Sequence, residues 1–152
     1  ESLRAAGVDA HGVVRMARHT TTTKTRVLAG GIHSAKQQVV RIDRKGTPVA
    51  ARTVHAAWGT RLDAALRTCD AVLISDYGGG VVTPALVRHV RQVLRARKGR
   101  RVPVLLDSRY DLGRYQGLTA STPNEAEVEA LLGVRIDDDP KVLERAGRTL
   151  LE

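Results

Sequence analysis

A mixed α/β fold built around parallel strands is what the sequence predicts, on three observations. Three short apolar runs each end in polar residues able to do chemistry: Val72-Leu73-Ile74-Ser75-Asp76-Tyr77, Val102-Pro103-Val104-Leu105-Leu106-Asp107-Ser108-Arg109, and Leu118-Thr119-Ala120-Ser121-Thr122-Pro123-Asn124-Glu125-Ala126-Glu127. The segments between them carry helical periodicity, which makes the runs buried parallel strands of successive βαβ units. Upstream, two runs rich in β-formers, residues 20–29 and 37–43, flank Gly30-Gly31 and read as antiparallel strands.

In chain order, residues 2–6 read as the tail of a helix, with Gly7 at the left-handed position after its end. Val8 and residues 13–17 read as short extended pieces. In the second hairpin run Val40 and Ile42 alternate with Arg41 and Asp43, giving one apolar and one wet face; the hairpin is either a lid over a site or a plain surface hairpin. After the turn-rich Gly46-Thr47-Pro48, Trp58, Leu62, Ala65 and Leu66 share a helical face suited to covering a sheet. Residues 71–75 follow as a strand. Thr83 is an N-cap with Pro84 in the first helical position, and Leu86, Val87, Val90, Val93 and Leu94 form one stripe. The next strand is 102–106, then a helical turn over 110–115, then a third strand over 118–122. Pro123 stops that strand, a helix over Glu125–Leu132 ends at Gly133, and Asp137-Asp138-Asp139-Pro140 starts a last helix with a Leu143, Ala146, Leu150 stripe. The last stripe is still running at Glu152.

Composition narrows the function classes. The chain has 152 residues, 42% hydrophobic and 27% charged, enough for one ordered domain whose core is Val, Leu, Ile and Ala, since Phe is absent and aromatics are 3%. One cysteine, Cys69, permits no internal disulfide, and no apolar run approaches the roughly 20 residues that span a bilayer, so a cytoplasmic location with no membrane partner is the expectation. The net charge of +9 raises nucleic acid as a partner. Against it, the basic residues are dispersed, and the one dense run, residues 95–101, falls where a helix should end and cations complement its dipole. Zinc-ligand spacing and an aromatic stacking platform are both missing.

Open parallel sheets bind ligands beyond the carboxyl ends of their strands, so Asp76, Asp107, Arg109, Asn124 and Glu127 are expected to converge on one site. Carboxylates, an amide and an arginine there suit a metal-bound phosphate or a polyol. Asp76 and Asp107 equally suit simple helix caps or turn closures. Gly78-Gly79-Gly80 matches no phosphate-loop fingerprint and reads as a turn. Asn124 and Glu127 stand three apart on an opening helical turn, where a phosphate and its metal would sit, yet the same spacing makes a capping box. Lys24 and Arg26 alternate on one face of an extended segment and, with Arg41 from the partner run, could hold an anion or merely form a solvated cationic edge. His11, His19, His33, His55 and His89 show no metal-ligand spacing.

The order Thr23-Lys24-Thr25-Arg26-Val27, Gln37-Gln38 to Arg41-Ile42-Asp43, Ile74-Ser75-Asp76-Tyr77-Gly78, Val104 to Asp107 and Thr122-Pro123-Asn124-Glu125-Ala126-Glu127 resembles the ribokinase/PfkB family of carbohydrate kinases, most of all its heptose 7-phosphate kinase domains. The resemblance covers nearly the whole chain. It implies a ribokinase-like three-layer α/β/α fold with a partly parallel sheet, residues 20–44 forming a small β lid hairpin. It also implies ATP and Mg2+ as cofactors, with Asn124 and Glu127 organising magnesium and the phosphates and Glu127 as the metal-side carboxylate. Asp76 and Asp107 would shape the junction of phosphate and sugar, with Arg109 beside them, and Lys24, Arg26 and Arg41 would take a sugar phosphate. The family's upstream Gly-Gly and Asn sugar-binding motif and its downstream Gly-x-Gly-Asp, which carries the catalytic aspartate, do not occur here, so residues 1–152 are expected to be a partial kinase domain without activity of their own. By the same resemblance, close relatives often carry Lys where Gly79 stands, and the connection over 30–36 is longer than in some. A homodimer through the lid hairpin is the candidate assembly. The alternatives are a noncatalytic Rossmann-like binding module and a basic nucleic-acid module.

Overall fold

A computed structural model describes residues 2–17, 19–31, 35–47, 50–99, 101–109 and 112–151. The parts of the above expectations that fall on Pro48, His33, Arg100, Tyr110 and Glu152 lie outside the described residues. The chain divides into two compact units, Glu1–Ala50 and Ala51–Glu152.

The first unit opens with α1 (Ser2–Ala5), which ends as the sequence predicts. Gly7 takes φ 73°, and the N–H groups of Gly7 and Val8 donate to the carbonyls of Arg4 and Leu3, at 3.0 and 2.9 Å. Residues 13–16 form no strand: Val13 is exposed, and its N–H donates to the Ala10 carbonyl in a turn. β1 (Thr23–Ala29) and β2 (Gln37–Arg44) pair antiparallel, with Thr25 opposite Ile42 and Val27 opposite Val40 on one face, and Lys24 opposite Asp43 and Arg26 opposite Arg41 on the other. A register shift between Val27 and Leu28 interrupts the ladder. The alternation seen in the sequence therefore does sort apolar from charged, but both faces are exposed.

The second unit begins with α2 (Ala51–Trp58) and α3 (Thr60–Thr68), where the sequence suggested one continuous helical face. Gly59 makes the break. It takes φ 47° and ψ −132°, a positive-φ conformation suited to glycine that ends α2 after its N–H has bonded the His55 carbonyl at 3.1 Å. The face survives the break, because Leu66 is buried against Leu86 and Val90 with Trp58 and Leu62 alongside.

Three parallel strands follow in the order β3 (Val72–Asp76), β4 (Val104–Ser108), β5 (Ala120–Ser121). The crossover is α4 (Pro84–Arg95), started by the Thr83 hydroxyl accepting from the Leu86 N–H at 3.2 Å, with Pro84 in the first turn. Leu86, Val87 and Val90 are buried, each worth about 1.5–3 kcal/mol of apolar transfer. Val87 joins Ile74, Val104, Leu106 and Tyr115 in the principal core. Arg97, just past α4, donates from one guanidinium nitrogen to the carbonyls of Leu66 and Cys69 at 3.2 and 2.6 Å, satisfying the C-terminal end of α3.

Strand register fixes two different sheet faces. Val72, Ile74 and Asp76 pair with Val104, Leu106 and Ser108 on the face that packs into the core. Leu73 and Ser75 pair with Leu105 and Asp107 on the other, where Leu73 is 72% exposed. The strands are thus apolar on both faces and covered on one. A 3₁₀ turn over Leu112–Arg114 matches the helical turn expected near there, and β5 is shorter than its predicted span.

α5 (Glu125–Leu132) and α6 (Pro140–Leu151) enclose a smaller core of Val128, Ile136 and Ala146. The Glu129 carboxylate accepts from the Ile136 N–H at 2.6 Å and fixes the chain between them. α6 turns Val142, Ala146 and Leu150 inward; Leu143, expected in that stripe, is exposed. No helix among the described residues is long and apolar enough to cross a membrane.

Candidate functional site

The carboxyl ends of β3, β4 and β5 form one edge, and the predicted residues stand along it with different environments. Asp76 closes β3 and is 7% exposed. Its Oδ1 accepts from the Gly78 N–H at 2.9 Å, while Oδ2 accepts from the Ser108 hydroxyl at 3.2 Å and the Tyr115 hydroxyl at 2.9 Å. A carboxylate so far out of water needs such donors, and this one has three.

Asp107 ends the neighbouring strand but belongs to the opposite face, because it pairs with Ser75 while Asp76 pairs with Ser108. Its one side-chain partner among the described residues is the Thr122 hydroxyl, which donates at a long 3.5 Å. The two aspartates therefore share an edge without their side chains converging. Arg109 continues from Asp107; its backbone N–H donates to the Asp76 carbonyl at 3.3 Å, and its guanidinium carbon lies 5.4 Å from the centre of the Tyr77 ring.

Asn124 and Glu127 begin α5 as a complete capping box. The Asn124 side-chain oxygen accepts from the Glu127 N–H and Glu127 Oε2 accepts from the Asn124 N–H, both at 2.9 Å. Glu127 Oε1 keeps no partner among the described residues. No group of three His, Cys, Asp or Glu side chains that could hold a metal occurs among them. A single partly free carboxylate is still a donor set that suits Mg2+, which commonly retains several waters and binds through one or two carboxylates plus substrate phosphates.

Lys24, Arg26 and Arg41 lie in the first unit and are brought together there: Arg26 faces Arg41, Lys24 is two residues along the same strand, and Arg41 Nε lies 3.1 Å from Asp43 Oδ1. A groove of about 620 Å³ lies elsewhere, lined by Arg67, His89, Gln92, Val93, Ala96, Arg97 and Lys98. It flanks the end of α4 that leads into the amino end of β4, the opposite edge from Asp76 and Asp107, and its Arg97 is committed to capping α3.

Sequence reasoning missed Tyr115 and Ser108. Ser108 was visible two residues beyond Leu106 on the same strand face, so alternation alone would place it beside Asp76. Tyr115 reaches Asp76 from 39 positions away, and nothing local marks it.

The edge geometry can be set beside known proteins. A Geobacter sulfurreducens protein is 40% identical over 147 residues, which is 96% of this chain and 28% of the relative. One from Geobacter metallireducens is 41% identical over 147 residues, and one from Pelobacter propionicus 34% over 148. Each is named bifunctional protein HldE. The similarity to HldE runs along nearly the whole of this chain, through the hairpin and the strand edge alike. The chain spans 28% of the length of the two Geobacter HldE proteins. No family model matches the chain, and no solved structure matches it.

Proposed function

We propose that this chain is the central part of a ribokinase-type carbohydrate kinase whose complete form transfers the γ-phosphoryl group of ATP to a sugar phosphate. Heptose 7-phosphate is the substrate we favour, with heptose 1,7-bisphosphate as product. The observation that carries the reading is the juxtaposition of Lys24, Arg26 and Arg41 on one hairpin face, which offers an anionic sugar three cations at once. The similarity to HldE proteins and the motif resemblance to heptose 7-phosphate kinase domains support the same reading.

In this reading residues 20–44 are a lid that presents its cations to the sugar's phosphate. Glu127, through its free oxygen, and Asn124 would hold Mg2+ or its water shell beside the ATP phosphates, at a helix start where the dipole favours negative charge. The metal would neutralise charge on the transferring phosphoryl group. Asp107 and Arg109 would border the phosphate and sugar, and Asp76 would shape that junction from below. The remaining work is positioning and charge stabilisation, with the catalytic base supplied from outside these 152 residues. A cytoplasmic enzyme, dimeric through the lid hairpin, completes the proposal.

The test is ATP-dependent phosphorylation by the longer protein, comparing heptose 7-phosphate with unphosphorylated heptose. A clear preference in kcat/KM for the phosphorylated sugar is expected. Equal use of both would remove the heptose 7-phosphate assignment and leave an unspecified sugar kinase; turnover of neither would remove the kinase reading.

A further inference from the structure

The loop after β3 contains three consecutive glycines, Gly78 to Gly80, with φ 72° at Gly78 and 78° at Gly80. Such a sequence is free to sample many conformations, so holding one requires outside contacts. Three are present. The Gly78 N–H is held by Asp76 Oδ1 at 2.9 Å, the Val81 carbonyl accepts from His55 Nε2 at 2.8 Å, and Tyr115 reaches both Asp76 Oδ2, at 2.9 Å, and the Val82 carbonyl, at 3.5 Å. Of these two acceptors the Asp76 carboxylate is the nearer to the tyrosine's hydroxyl. Between these anchors the backbone is open, since a Cβ built on Gly79 or Gly80 would meet nothing within 4 Å.

The geometry points to Tyr115 as a positioning residue that acts through Asp76 to hold the Gly78–Gly80 backbone at the carboxyl edge of the sheet, so that Asp76 serves the loop and the substrate meets the loop's exposed peptide groups. The carboxylate is buried, and three internal donors take most of its acceptor sites. The exposed amides suit hydroxyl or phosphate oxygens as partners. This inference rests on the kinase reading for its catalytic consequence, although the mechanical link from Tyr115 to the loop does not.

The experiment uses the longer protein carrying Tyr115→Phe or Ser108→Ala, each removing one hydroxyl that holds Asp76. Amide hydrogen exchange and steady-state kinetics are read together. For Tyr115→Phe, exchange of the Gly78 amide, which Asp76 holds, should rise about tenfold while α6 is unaffected. The kcat with the sugar phosphate should fall several-fold, with KM for ATP unchanged. Ser108→Ala should shift both in the same direction by less, and it keeps the test alive if Tyr115→Phe does not fold. Unchanged loop exchange in folded variants overturns the inference, as does a uniform rise throughout the second unit without a kinetic change. If the parent protein phosphorylates no sugar, the kinase reading fails, while a localised exchange rise still supports the positioning role.

Discussion

Arg26 stands directly opposite Arg41 in the hairpin, so two guanidinium groups share one face with Lys24 beside them. Like charges at paired positions cost about 0.2–1 kcal/mol, and the exposed Arg41–Asp43 contact offsets little of it. On the kinase reading an anionic substrate relieves that repulsion. In the longer protein, Lys24→Ala with Arg26→Ala should raise KM for the phosphosugar about tenfold or more and spare ATP binding. Unchanged kinetics, with the hairpin unaffected or slightly more stable, would reduce the trio to a charged edge.

Glu127→Gln separates capping from metal chemistry. Glutamine retains an oxygen to accept from the Asn124 N–H, so the box persists and the melt should move by no more than about 1 kcal/mol. Turnover of the longer protein should nevertheless fall and demand more magnesium, because the charge facing the metal is gone. A magnesium titration of rate beside a thermal melt checks this; full activity at ordinary magnesium would confine Glu127 to the cap.

Arg97→Ala should act on stability alone. Two carbonyls at the end of α3 lose a charged donor, a loss of about 1–3 kcal/mol in a denaturant melt, while kcat and KM stay put because the groove around Arg97 lies away from the strand edge. A changed KM for either substrate would contradict that placement.

The 152 residues alone should phosphorylate no sugar, since the reading assigns the catalytic base to the longer protein. Release of ADP in a coupled assay with the isolated chain and any sugar would disprove the division of labour.

What the sequence made legible was local. Thr83 and Pro84 announce α4, Gly133 marks the end of α5, and each strand stops near the polar residue that follows its apolar run. Gly59 was harder to interpret, because glycine inside a helical pattern breaks the helix only if its φ turns positive. Leu143 and Val142 are adjacent, and periodicity cannot choose between them; contact with Val128 and Ile136 chooses Val142. At the site, the edge was readable but its faces were not. Whether Asp76 and Asp107 point together depends on the register between strands, and the partner that occupies Asp76, Tyr115, arrives from a distant segment. The capping box at Asn124 and Glu127 was anticipated as one of two readings, and its formation leaves the other open because one carboxylate oxygen stays available.

Leu73 lies on β3, an outer strand of the three-stranded sheet among the described residues, and on that sheet's bare face. An outer strand offers unpaired backbone groups, and an exposed leucine adds a sticky surface, so β3 is where a second molecule would add on. The net charge of +9 works against this by keeping molecules apart, but its reach shrinks to about 10 Å at 0.1 M salt. The isolated chain should therefore stay dispersed in dilute buffer and grow into larger particles as salt is added, the reverse of ordinary salting-in. Light scattering would follow that growth, and Leu73→Lys should suppress it.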